Sequence, residues 1–504
     1  MSYKSRNGIT GAKAMALLVT LVTSVGWGAS VVPFESGLQS VAGIPFVVGA
    51  VEFKQITGSA RLYAPQENPS FGVTSMSSAT QQDVLTQALG FTFVTYYDAS
   101  NRLCLARRPV AGGEWQTITL TNTVVTVDNH KTPNIAISER DGRIHLAYGH
   151  HGENLRYRVS VAGAATSPNF TTALFNGAAS AERNFLKANE PLTRVTYPIF
   201  VTREVSRQLL MFWRQGISGN GDLYFSTYNP TTGAWGSKIH VIKGFVGTYT
   251  DPTGTAPNSP TSTRNPYPND IITFGNDIHL TWTWREATPN PAVPGLIVNH
   301  DLLYAMSTDG GLTWTNDDGV VVGTSGPGNF KMDLNSEVKV TQVNGQALTL
   351  DYNWDLLNQN TSYVDSQGNT HVVLLHGETG SGSAAKRYWH YVRSGATWTR
   401  TMIPGTSGIR PKMFIDRNTD TVYVAGGASG VLNLWAANKG TNDWGTWTRI
   451  YTTGTVLNFK NDGFNGRLSA DGHTLWLVGQ RAGAAADSTS SRLETIKFTL
   501  APNV

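Results

Sequence analysis

The chain has 504 residues, of which only 15% are charged, against roughly 25% in an ordinary soluble domain. Apolar residues make up 40%, and 52 glycines accompany 14 tryptophans, 18 tyrosines and 19 phenylalanines, a profile that excludes coiled coil, collagen and wholesale disorder. With 39 basic and 35 acidic residues the net charge is +4, too balanced for a nucleic-acid partner yet compatible with an anionic substrate.

Residues 1–29 read as an export signal. Lys4, Arg6 and Lys13 precede an apolar stretch from Ala14 to about Val25, and Gly26–Ala29 offers small residues for cleavage. The stretch is too short and too rich in Thr and Ser for a membrane anchor, and no later segment is a candidate span. The expected location is therefore secreted or periplasmic, with a single mature domain over 30–504. Residues 30–75 are the least readable and either complete a last structural unit or pack beneath it.

From there one pattern recurs. A turn with Asp, Asn or Gly leads into an alternating β-branched and aromatic run, at Phe91–Tyr96, Arg143–Tyr148, Gln208–Trp213, Asp277–Trp282, Asn369–Leu374, Asp420–Ala425 and His473–Val478. Alternation over six residues is the strand signal, and no window sustains a helical period. A second strand begins near Leu103, Leu155, Leu223, Leu303, Tyr388, Leu434 and Leu493. A shorter strand precedes several runs, as at Thr132–Ile137, Thr196–Val201, Pro266–Ile271 and Arg410–Ile415. Seven such units predict an all-β fold, a seven-bladed β-propeller. Ser307-Thr-Asp309-Gly-Gly-Leu-Thr313-Trp314 matches an Asp-box hairpin, in which Asp accepts turn amides and Trp caps the blade. It marks fold, not chemistry. The stretch Thr250–Thr263 reads as an insertion between blades. The single cysteine, Cys104, sits in an apolar run and reads as a buried hydrophobe.

Residues just before the inner strands converge on one mouth of a propeller. They are Asn129 and His130, Arg194 and Tyr197, Arg264 and Tyr267, Asn360, Arg410 with Lys412, and Lys460 with Asn461. The set is rich in His, Tyr, Arg and Lys. It shows no flanking carboxylate pair of the kind a glycosidase needs. It suits β-elimination in a uronate polymer, where a base removes the C5 proton, a cation neutralises the adjacent carboxylate and a donor protonates the leaving oxygen.

The stretch from Asn129-His130-Lys-Thr-Pro133 through Tyr148-Gly-His150-His151-Gly to Leu155-Arg-Tyr157-Arg resembles the BNR-repeat propeller polysaccharide lyases, among them ulvan lyases and related rhamnose–glucuronate lyases. Tyr197-Pro198, Phe212-Trp-Arg214-Gln-Gly-Ile-Ser-Gly-Asn-Gly-Asp222, Trp282-Thr-Trp-Arg285-Glu286 and Asn299-His300-Asp301-Leu-Leu-Tyr304 extend the likeness over most of residues 85–400. The resemblance implies catalytic roles for His130, His151, Tyr197 and Arg214, the last neutralising the carboxylate. His150 is a rival to His151, because neighbours on a strand point to opposite faces. Asn129, His150, Arg264, Tyr267, Arg410 and Lys412 are the candidate substrate-binding residues. Whether His130 or Tyr197 is the base depends on the stereochemistry at C5.

His145, His279 and His371 share one repeated slot and read as structural. Arg285 either serves the site or holds its blade. The chemistry calls for no cofactor. A structural Zn or Ca ion is the one metal considered, with His300, His376 and His390 as its candidate ligands. The expected partner is an anionic uronate polysaccharide, with no nucleic acid and no membrane after signal cleavage, and the protein acts as a monomer. The rival readings are a non-catalytic glycan-binding propeller and a sialidase-like hydrolase. The second lacks its Arg-Ile-Pro start and matching Glu.

Overall fold

A computed structural model describes residues 42–503, apart from 64–73, 76–82, 127, 129, 178–179, 253–258, 288–297, 325–331, 334–336, 349, 351–355, 379–385, 406–407, 429, 455–456, 458, 461–462 and 483–489. The expected signal at 1–29 and the candidate Asn129 lie outside the described residues. No helix among the described residues is long and apolar enough to cross a membrane.

Among the described residues seven antiparallel sheets of three or more strands form the blades, beside a two-stranded sheet at Gln342–Val343 and Gln346–Ala347. The inner strands are Leu85–Ala88, Asn134–Ser138, Val195–Thr202, Arg264–Phe274, Thr361–Val364, Lys412–Asp416 and Asn465–Leu468, and they stand side by side around one axis. We number the blades one to seven in that order. The alternating runs form the second strands, such as Leu209–Ile217 in blade three and Asp277–Glu286 in blade four. Blade seven settles the open question about the N-terminal region. Phe46–Tyr63 pairs antiparallel with Ser490–Pro502 as its outermost long strand, from Phe46 opposite Pro502 to Arg61 opposite Ser490.

Alternation gives each strand two apolar faces, because every blade is sandwiched between two others. Among the described residues seven apolar clusters result, one at each blade junction. Phe93 and Leu105 of blade one meet Ile135 and Ile144 of blade two, and Trp476 and Val478 of blade seven meet Val94 and Ala106 of blade one. Trp213, Trp282, Trp314 and Trp435 are all buried in such junctions, each contributing roughly 1.5–3 kcal/mol of apolar burial.

The Asp box forms as its sequence requires. Asp309 Oδ1 accepts the amides of Leu312 (3.0 Å) and Thr313 (2.8 Å), while Trp314 lies buried between blades three and four. The repeated histidine slot is structural too. His145 Nδ1 meets Tyr157 Oη at 2.6 Å, His279 Nδ1 meets Tyr304 Oη at 3.2 Å, and His371 Nδ1 meets His390 Nε2 at 2.9 Å. Burial holds His145 and His279 neutral, each driven down to about 3.

Candidate active site

At the mouth where the inner strands begin, blade two contributes a carboxylate with two imidazoles. Asp128 Oδ1 accepts the His130 amide (2.9 Å) and meets His130 Nδ1 at 2.6 Å. Its Oδ2 meets His151 Nδ1 at 2.7 Å. The two rings stack with centroids 4.0 Å apart and planes 16° from parallel. His151 opens the short strand His151–Glu153, which pairs with the start of the inner strand of blade three, opposite Thr196. That pairing carries the histidine next to Tyr197, at 6.4 Å between rings.

Tyr197 owes its aim to a bulge. Thr196 pairs with Arg214 and Ile199 with Phe212, so Tyr197 and Pro198 together face one residue, Trp213. An inserted residue re-aims the side chain, and Tyr197 takes φ +48°, a left-handed conformation costing a bulky residue on the order of 1 kcal/mol. Blade four also carries a bulge, but there Tyr267 stays in register, opposite Thr283. Tyr267-Pro268 precedes a register shift between Pro268 and Asp270. The Tyr267 ring lies 6.0 Å from that of Tyr197.

Arg214 sits between the two phenols, its Cζ 5.2 Å from the Tyr197 ring and 5.0 Å from that of Tyr267. It is buried, yet its Nε and Nη1 find no acceptor among the described residues. Arg108 likewise keeps Nε and Nη1 without a bond, so it is the place of Arg214 between two phenols at the mouth that singles it out. Arg285 Nη1 donates to Tyr267 Oη at 3.3 Å, and Ser218 also bonds that phenol.

The charges follow from this arrangement. Burial alone would raise the Asp128 carboxyl, but hydrogen bonds from His130 and His151 hold it well below the carboxylate range. Burial pushes His130 down, and Asp128 only partly offsets this, so His130 is neutral near pH 7. An ionised Asp128 accepts Nδ1–H from both rings, which leaves both Nε2 lone pairs as potential bases. Burial, then the neighbouring Tyr267, raises Tyr197 and keeps its proton on. Tyr267 moves the other way. Burial would raise it, but Arg214 and Arg285 draw it down to about 8.

The structure brings together His130, His151, Tyr197, Arg214 and Tyr267. Arg410 joins them from blade six, where Asn358 O holds its Nε at 3.1 Å and its charge bears on both His130 and Tyr197. Three candidates fall elsewhere. His150 is enclosed beneath the mouth, its Nε2 accepting the Arg156 amide at 2.8 Å, because only one of two adjacent histidines can face outward. Arg264 is fully buried rather than on the rim. It pairs with Glu286 (2.6 Å) and donates to the carbonyls of Val246, Gly247 and Thr261. Lys412 turns into the axial cavity and pairs with Asp270 at 2.8 Å. The proposed metal trio does not assemble. His300 is shared by Glu286 and Asp301, His376 by Gly377 O and Tyr391 Oη, and His390 meets His371.

Sequence reasoning passes over Asp128 and Ser218, while of the two roles open to Arg285 its bond to Tyr267 favours the site. The spacing Asp128-x-His130 is the one signal that points to the first, since an Asx turn returns its carboxylate to the amide two residues on. Asp128, His130 and His151 place one ligand atom each within 4.8 Å of one another, a group able to hold a cation. The same two Nδ1–carboxylate contacts, 2.6 and 2.7 Å, are also short enough for charge-assisted hydrogen bonds.

A bulge-aimed Tyr, a carboxylate-bridged histidine pair and an under-satisfied arginine thus share one mouth of the seven-bladed propeller. The profile of the BNR repeat-containing family matches residues 91–405, and the chain belongs to that family. A curated relative, the short isoform of an ulvan lyase from Alteromonas sp. (strain LOR), is 28% identical over 138 residues, covering 21% of this chain and 26% of that protein. The matched stretch thus spans about a quarter of the relative. Among solved structures, the polysaccharide lyase Uly1 superposes with a TM-score of 0.65 at 17% identity, over 90% of this chain and 99% of that one. A PL25 ulvan lyase bound to -[GlcA(1-4)Rha3S]- gives 0.59 at 14% identity, over 88% and 95%. At these identities the likeness establishes the shared propeller fold.

Proposed function

We propose that this chain is a polysaccharide lyase that cleaves a uronic-acid polymer, of ulvan or rhamnose–glucuronate type, by β-elimination. One observation carries the reading: Arg214, buried, keeps two N–H groups without a protein acceptor beside a neutral histidine and a protonated tyrosine. A uronate carboxylate fits that vacancy bidentately and becomes the electron sink for the C5 carbanion. His130 Nε2 takes the C5 proton, the C5–H electron pair forms the C4=C5 double bond, and the C4–O4 bond breaks. Tyr197 Oη gives its proton to the departing O4. Asp128 stabilises the imidazolium that forms on His130. The products are a new reducing-side hydroxyl and a 4,5-unsaturated uronate. The chemistry uses no metal, and export by residues 1–29 places it outside the cytoplasm.

The test is the ultraviolet absorbance of the conjugated alkene when the full chain meets ulvan, glucuronan or a glucuronorhamnan. Growth of that band supports the reading. Tight binding of all three without growth would leave a glycan-binding propeller instead.

A further inference from the structure

We infer that Phe245, with Lys243 beside it, forms a second contact zone of the substrate groove, an aromatic platform for the sugar ring next to the cleaved uronate. The inference rests on the lyase reading but not on the roles of the catalytic groups. Phe245 is 63% exposed, and Lys243 is exposed too. A single exposed apolar residue is ordinary on a surface. The way this one is held is not.

The segment carrying it crosses the mouth between blades three and four, and its backbone is fixed on both sides of the ring. Gly244 N donates to Asp222 Oδ1 at 2.8 Å, and Gly244 O accepts the Arg264 amide at 3.1 Å. Lys243 N donates to Met332 O at 2.7 Å. Val246 O and Gly247 O take donors from the Arg264 guanidinium at 2.6 and 3.2 Å. A Cβ on Gly244 would stand 2.2 Å from Arg264 O and 2.3 Å from Gly221 O, so only glycine admits this close passage. Arg264 is itself locked by Glu286, which also takes the Thr261 hydroxyl and His300 Nε2. A buried ionic network therefore holds a Phe in water, where folding alone gains nothing from it.

Its place fits the substrate. The same hairpin tip that Gly244 touches sends Ser218 to Tyr267 and the Gly219 amide to Asn265 Oδ1. Arg264 and Tyr267 lie three strand residues apart, roughly 10 Å. Gly244 O bonds the Arg264 amide, so the backbone beside Phe245 sits about 10 Å along the inner strand from Tyr267, the spacing of a neighbouring sugar ring rather than of the ring held by Arg214. An apolar C–H face suits the Phe, and an anionic substituent on that ring suits Lys243. Ile217, 53% exposed, is a second exposed apolar residue at that hairpin tip.

Kinetics on a uronate polymer with alternating sulfated deoxy sugars test this. Phe245→Ala is expected to raise KM roughly tenfold with kcat within about twofold, an effect the size of one aromatic contact. Phe245→Trp is expected to restore KM, and Lys243→Ala to weaken its dependence on salt. The thermal midpoint of Phe245→Ala should match that of the parent, since the side chain packs against little. Unchanged KM in Phe245→Ala, with a turning-over parent, overturns the platform alone. A drop in midpoint with KM not rescued by Trp overturns it in favour of a structural role. A parent without turnover on any uronate polymer overturns the lyase reading itself.

Discussion

Blade two holds histidines in two settings, and the contrast between them separates scaffold from chemistry. His145 lies within a strand, wholly buried, with a phenol as partner. His130 precedes its inner strand and His151 follows its alternating run. Both are partly open to solvent, with a carboxylate as partner. A phenol can satisfy a neutral imidazole but does nothing for an imidazolium. A carboxylate fixes the tautomer and stabilises the charge when a proton arrives. Position in the strand decides exposure, and partner decides what the ring can do.

The comparison can be broken most sharply by removing each ring. His130→Ala is expected to lower kcat by on the order of 10²–10⁴ with the thermal midpoint nearly unchanged, measured by initial rates of alkene formation and by calorimetry. Asp128→Asn should follow with a loss of on the order of 10²–10³, because the amide no longer dictates Nδ1–H on both rings. The same pair of measurements on His145→Ala should invert the outcome. Stability falls by about 2–4 kcal/mol, from the cavity and the stranded Tyr157 hydroxyl, and kcat well below the transition changes little. Equal kinetic damage from His145→Ala would erase the distinction.

Two pH profiles sharpen it further. Tyr267 loses its proton near 8, and the phenolate then competes with substrate for Arg214 and Arg285, so kcat/KM should fall by several-fold as pH rises through about 8. In Tyr267→Phe that limb should disappear. His145 and His279 are depressed to about 3 in the fold against 6.5 unfolded. Below 6.5 the unfolded chain binds protons that the folded chain refuses, so their stability contribution is present above 6.5 and is lost as pH falls toward 3. The thermal midpoint should decline over that window, and less steeply in His145→Gln.

Much of the fold was legible. Seven alternating runs, the Asp box and the repeated histidine slot need only local pattern, and the structure realises all three. The site was legible at His130, His151, Tyr197 and Arg214 as residues that meet, because the first three lie at or near strand starts, which the ring brings together, and Arg214 closes an apolar run beside them. What alternation could not supply is which way a side chain points after a bulge, since one inserted residue exchanges the two faces. Arg264 and Lys412, each first in its inner strand, read as rim cations because the pattern within one strand does not show the carboxylates, Glu286 and Asp270, that pair with them in the interior. Asp128 was overlooked because its importance lies in reaching His151, 23 positions further along the chain. The ligand trio His300, His376 and His390 was a count of imidazoles without knowledge of the phenols and carboxylates that occupy them.

The seam in blade seven carries a consequence for how the ring comes into being. Its outermost long strand, Phe46–Tyr63, meets its partner Ser490–Pro502 across more than four hundred residues of intervening chain. During synthesis the first long strand must wait, unpaired, while six blades accumulate behind it. Closure is then a single late event that converts an open arc with two raw edges into a ring with none. A chain cut short before Ser490 would keep its early blades and its catalytic residues, and would still present both edges to its neighbours. Clumping of such fragments, rather than gradual loss of activity, is the expected signature of damage at that end.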